Sequence, residues 1–106
     1  MMRVKRVEYF IYLLIKTSKN QARALLETAT TDQILGISEV FLNLIENNIP
    51  LSKKIQTILK KHKGLFQKLG SRKLPEKSKY KLVCKHWKLV WSLLTEAKKI
   101  LHQLLS

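Results

Sequence analysis

The stretch Thr30-Thr31-Asp32-Gln33-Ile34-Leu35-Gly36-Ile37-Ser38-Glu39-Val40-Phe41-Leu42-Asn43-Leu44-Ile45-Glu46-Asn47-Asn48-Ile49-Pro50 decides the fold of this 106-residue chain. Thr30, Thr31 and Asp32 form a capping cluster whose side-chain oxygens can accept the first free N–H groups of a helix. Ile34, Leu35, Ile37, Phe41, Leu42, Leu44 and Ile45 follow, nearly all spaced to face a core. Asn47-Asn48 favours a turn or left-handed ending, and Pro50, with no N–H to donate, forbids continuation. A helix is predicted here, and its apolar richness makes it the most buried of the molecule.

Upstream, Val4, Val7, Ile11, Leu14 and Ile15 share one helical face, which predicts a helix over residues 2–17. The β-branched and aromatic content of that run also leaves a strand open. Ser18 is placed as N-cap of a second, three-turn helix with the stripe Ala22, Leu25, Leu26 and Ala29. Downstream, Leu51 and Ser52 read as staple and cap of a fourth helix with the stripe Leu51, Ile55, Ile58, Leu59, Leu65, Phe66 and Leu69. Gly64 weakens that helix by about 1 kcal/mol relative to Ala, and Gly70 is a natural stop. Residues 70–75 are expected to act as a hinge. Pro75 suits the first turn of a last helix, in which Val83, Trp87, Val90, Leu94, Ala97, Leu101 and Leu104 repeat at steps of four and three. The expectation is therefore an all-α, single-domain bundle of four or five helices spanning residues 1–106.

Composition agrees with that class. Three Gly and two Pro leave few turns, and 45% apolar residues is too many for a disordered basic tail. One core is expected at this length, with no room for a catalytic domain beside a separate binding domain. The single Cys84 cannot form an intrachain disulfide and gives no sign of an oxidising compartment. The longest apolar run, Tyr9 to Ile15, is seven residues, against roughly 20 for a membrane-spanning helix. Three cations before that run and a loose Ala22-Arg23-Ala24 give a weak signal-peptide pattern, opposed by Glu8, Lys16 and Lys19.

Charge is the strong signal. The chain carries 21 Lys and Arg against 7 Asp and Glu, a net of +14. Residues 31–50 hold three acids and no Lys or Arg, whereas residues 51–81 hold eleven bases and one acid, a local net of +10. These eleven are Lys53, Lys54, Lys60, Lys61, Lys63, Lys68, Arg72, Lys73, Lys77, Lys79 and Lys81. A dense cationic surface of this kind seeks phosphate backbones. Lysine outnumbers arginine, and a point charge lacks the planar fork that reads guanine edges, so backbone binding is favoured over base readout. The plain alternative is a lysine-rich solubilising surface. Arg3, Lys5 and Arg6 form a second candidate patch, and two patches on one molecule could bridge duplexes. Tyr80, among Lys77, Lys79 and Lys81, is the better candidate for stacking on a base; Trp87 and Trp91, four apart beside Val83, Val90 and Leu94, read as core with a wet indole N–H.

Catalytic constellations are scarce. Glu39 and Glu46 lie seven apart on one helix without a nearby His, and read as solvated carboxylates. Cys84 and His86 point about 200° apart on a helix. His62, His86 and His102 lack metal-ligand spacing, so no metal or cofactor is expected. Gly36, Gly64 and Gly70 do not form a phosphate loop. No enzyme and no small-molecule substrate are expected.

Several elements occur in order: Gln21-Ala22-Arg23-Ala24-Leu25-Leu26-Glu27-Thr28-Ala29-Thr30, Ile37-Ser38-Glu39, Asn43-Leu44-Ile45, Asn48-Ile49-Pro50-Leu51-Ser52, and Lys60-Lys61-His62-Lys63 running on to Leu69. Over roughly residues 20–81 the chain resembles small basic proteins encoded by Polinton/Maverick transposons and adintovirus-like DNA viruses. It departs from their pattern at Asn47, where glycine often stands, and in continuing into a Trp-containing amphipathic helix. The resemblance implies a protein that binds or condenses the element's DNA in a particle, and favours a nucleus or virion interior. The combined expectation is non-catalytic, largely sequence-independent binding of nucleic acid, double-stranded DNA above all. Two rivals remain: a cationic protein of membrane surfaces, and a helical interaction module that self-associates through Val83, Trp87, Val90, Leu94 and Leu101.

Overall fold

One straight helix over residues 76–105 would be about 45 Å long at a rise of about 1.5 Å per residue, yet the longest extent of the molecule is 31 Å. The chain therefore breaks its long amphipathic segments. The computed structural model describes residues 2–46 and 50–105, and side chains from residue 7 to residue 104 among them. Within those residues it is helical without strands, which closes the strand alternative for the first segment. The elements are α1 (Met2–Lys16), α2 (Lys19–Glu27), α3 (Thr31–Glu46), α4 (Lys53–Lys61), α5 (Lys63–Gly70), α6 (Glu76–Lys85), α7 (Trp87–Glu96), a 3-10 turn (Lys98–Ile100) and α8 (Leu101–Leu105). Eight α-helices replace the expected four or five because the fourth segment splits at His62 and the last at His86 and Ala97.

Both histidines leave the helical backbone in the same way, at φ −120°, ψ 35° for His62 and φ −111°, ψ 34° for His86. Each break gives the two halves different neighbours: α4 packs on α7 while α5 packs on α3, and α6 reaches α2 and α3 while α7 lies against α1 and α2. The radius of gyration is 12.4 Å, close to the roughly 13 Å of a compact 100-residue domain.

The capping residues act largely as their positions predict. Ser18 and Ser52 accept from Gln21 N and Ile55 N, each at 3.3 Å. Thr30 and Gln33 exchange reciprocal bonds, Gln33 N to Thr30 Oγ1 at 3.2 Å and Thr30 N to Gln33 Oε1 at 2.9 Å, closing a capping box at the start of α3. Pro75 occupies the N-cap position of α6 instead of its first turn. The expected Asn47-Asn48 ending lies outside the described residues.

Helix α3 is the hub. It touches α1, α5, α6 and α8 and buries Ile34, Ile37, Val40, Phe41 and Leu44. Phe41 meets Phe66 of α5 with ring centroids 5.0 Å apart, a favourable tilted aromatic contact. Leu35 and Leu42 are only half-buried and Ile45 is 40% exposed, so the apolar run of α3 exceeds what the core absorbs. Two glycines allow helices to close on α3. A Cβ at Gly36 would lie 2.0 Å from Val7 Cγ1 of α1, and one at Gly70 would lie 3.0 Å from the Leu42 backbone nitrogen. Gly70 ends α5 without positive φ, so its role is close approach and not left-handed termination.

Most of the seam of the last segment is consumed within the chain. Val83, Val90, Leu94, Ala97, Leu101 and Leu104 are buried in the common core, whereas Trp87 is half-buried beside it. Residues 71–75, most of the expected hinge, connect α5 to α6 and are tied down by a Lys73 N–H to Ser71 Oγ bond of 3.2 Å and by the pairing of Arg72 with Glu39.

Candidate nucleic-acid interface

At about 100° per residue, Lys53, Lys54, Lys60 and Lys61 fall within an arc of about 120° on α4, opposite the buried Ile55. All four are exposed. Lys54 is joined to Glu96 of α7 at 3.0 Å, an ion pair that ties α4 to its packing partner. Lys63 and Lys68 of α5 are exposed as well. Lys60 and Lys63 line a cavity whose remaining wall is Leu44, Ile45, Leu51, Gln56, Leu59, Phe66 and Gln67. Arg72 and Lys73 line an adjoining cavity that shares Ile45 and Gln67 with the first.

Arg72 is not a free cation. Its Nε and Nη2 donate to the two carboxylate oxygens of Glu39 at 3.3 and 3.4 Å. The hydrogen bond and charge of Glu39 raise its pKa further above the ordinary value.

On α6, Lys77, Lys81 and Lys85 are exposed at steps of four and make a ladder along its outer side. Lys79 is the exception and overturns one expectation. It sits two positions from Lys77, about 200° round the helix, on the same face as Val83, and is 3% exposed. Its Nζ donates to Ser38 Oγ of α3 at 2.7 Å, and Ser38 in turn donates to Leu69 O of α5. Burial pushes its pKa down, partly offset by Glu39, while Arg72 adds to the lowering. Lys79 cannot reach a phosphate backbone from this position.

A serine and a lysine in hydrogen-bond contact raise the question of a nucleophile and its base. The hydroxyl proton of Ser38 is committed to a main-chain carbonyl, and the ammonium donates to Ser38 instead of accepting from it. Neither residue lines a described cavity, and Ser38 is 4% exposed. The pair pins α3, α5 and α6 together and offers no approach to a substrate.

The aromatic residues are also committed. Tyr80 is half-buried, and its hydroxyl donates to Glu27 O at the end of α2, which fixes the ring beside that helix. The neighbouring Cys84 thiol and partial burial push the pKa of Tyr80 up. Trp91 Nε1 donates to Leu14 O at 3.1 Å, so this indole N–H is satisfied by protein and not by water. Trp87 carries the Arg23 guanidinium 5.9 Å and the Lys88 ammonium 5.7 Å from its ring centroid. Lys85 and Lys88 extend the basic surface beyond the expected boundary at residue 81. The four-residue spacing from Lys81 to Lys85 was the available signal.

Of the eleven expected contacts, Lys79 is buried and Lys54 and Arg72 are ion-paired, leaving eight: Lys53, Lys60, Lys61, Lys63, Lys68, Lys73, Lys77 and Lys81. These eight are exposed, with no described carboxylate in an ion pair with them. The side chains of Arg3, Lys5 and Arg6 lie outside the described residues. Among the described residues no group of three His, Cys, Asp or Glu could hold a metal ion. No described helix is long and apolar enough to cross a membrane. Compared with protein-family models, curated proteins and solved structures, the chain matches none.

Proposed function

We propose that this protein is a non-catalytic, largely sequence-independent nucleic-acid-binding protein that holds double-stranded DNA by its phosphates. The single observation carrying this reading is the set of eight exposed cations without described carboxylate partners on α4, α5, α6 and the connection between them. Lysine ammonium groups supply charge without base-reading geometry. The half-burial of Tyr80, Trp87 and Trp91, each already engaged with protein groups, supports a duplex backbone over stacked single strands. The resemblance of residues 20–81 to basic proteins of Polinton/Maverick elements adds a setting, a DNA-condensing core or packaging protein in a nucleus or particle interior.

The test is binding to unrelated duplexes, single-stranded DNA and RNA across about 50 to 200 mM salt. If about six of the eight cations reach phosphates, log K falls against log salt with a slope of about −5 for every duplex sequence. A flat salt dependence, or strong preference for one sequence, overturns the reading. The membrane-surface alternative has one observation in its favour: Tyr9 and Leu13 are 74% and 45% exposed on α1. Flotation with anionic vesicles without any DNA binding selects it.

A further inference from the structure

The two adjoining cavities are unequal in charge. The first, about 350 Å³, has the apolar residues Leu44, Ile45, Leu51, Leu59 and Phe66 on its wall. Its remaining lining is two amides, Gln56 and Gln67, and two cations, Lys60 and Lys63, with no acid. The second, about 400 Å³, carries Glu46 beside Arg72 and Lys73. Between Lys63 and Gly70 the trough runs about 10 Å along α5. Ile45, a large apolar side chain left 40% exposed, stands where the two cavities meet.

We propose that this trough binds a single-chain carboxylate amphiphile, a medium-chain fatty acid, with its carboxylate at Lys60 and Lys63 and its alkyl chain along Leu59, Leu51 and Ile45, the partly exposed apolar residues of the lining. The volume suits a small occupant: the first cavity, at about 350 Å³, lies at the small end of small-molecule pockets. Charge decides the orientation. The second cavity sets Glu46 beside Lys73 and an Arg72 already paired with Glu39, whereas the first offers Lys60 and Lys63 with no acid, so the head lies at the acid-free end and the tail points toward Ile45. Apolar walls with a few polar groups at one end are the usual form of such sites, and an exposed apolar residue on the floor gains by being covered. The inference is independent of the DNA reading, since a trough that takes up the amphiphile does so whether or not the lysines bind phosphates.

The experiment is calorimetric titration of the intact protein with dodecanoate below its micelle concentration, with dodecanol as the uncharged control. Saturable uptake of one dodecanoate per chain, with dodecanol weaker by about tenfold or more, is the expected result. Ile45→Glu should abolish dodecanoate binding while leaving the helical circular dichroism unchanged, because Ile45 is partly exposed. Lys60→Gln with Lys63→Gln should bring dodecanoate down to the dodecanol level without harming dodecanol binding. Equal binding of the two probes, binding that survives Ile45→Glu, or no saturable heat overturns the proposal.

Discussion

Helices α4 and α6 carry the same number of lysines and use them differently. In α4, Lys53, Lys54, Lys60 and Lys61 share one outward arc; in α6, Lys77, Lys81 and Lys85 face outward while Lys79 is buried against Ser38. Composition makes the two helices look alike. Angular position separates them, because a lysine two residues out of step with its neighbours lands on the opposite side of a helix. Charge density along a sequence therefore overstates the charge a surface presents.

The sharpest way to test this difference compares two triple variants in duplex binding. Lys60→Gln, Lys61→Gln and Lys63→Gln should weaken affinity by about a hundredfold or more at 0.1 M salt and lower the salt slope by about 3. Lys77→Gln, Lys81→Gln and Lys85→Gln should cost less if the junction of α4 and α5 leads the contact. Equal losses would show that this junction and α6 contribute alike. Next in size is the effect of Ser38→Ala on stability, read by urea unfolding. It removes the acceptor of a buried ammonium and should cost about 1–3 kcal/mol, whereas Lys79→Met keeps the bond from Ser38 to Leu69 O and should be neutral or stabilising.

A smaller effect appears with pH. The folded-state pKa of Lys79 lies below its ordinary 10.5. Between those two values the unfolded chain binds more protons than the folded one, so this residue makes stability rise with pH up to about 10.5. Urea midpoints measured from neutral to alkaline pH should climb more steeply in the natural protein than in Lys79→Met; parallel curves would mean that the buried amine does not titrate abnormally. The smallest expected change comes from Glu39→Gln, which releases Arg72 and should steepen the salt slope by about 1. An unchanged slope would place Arg72 outside the binding surface.

Much of the fold was legible because capping and periodicity are local. Ser18, Thr30 and Ser52 each cap the helix their position announces. The break at His62 was not legible for a geometric reason: Ile55 and Phe66 are eleven residues apart, almost a whole number of turns, so the apolar stripe continues in phase across the break. Only the different packing partners of α4 and α5 require it. Of the candidate site, the burial of Lys79 was readable from its place four residues before Val83, on the apolar face. Its partner Ser38, 41 residues away, was not, and neither was the pairing of Arg72 with Glu39 over 33 residues. Such contacts arise only when the helices assemble.

The placement of the two tryptophans equips the molecule with its own optical reporters. Trp91 is fixed to a carbonyl of α1, whereas Trp87 lies beneath cations from α2 and α7. Replacing either indole by phenylalanine leaves a single emitter at one junction, so detachment of α1 and loosening of α2 can be followed separately by fluorescence without attaching a dye.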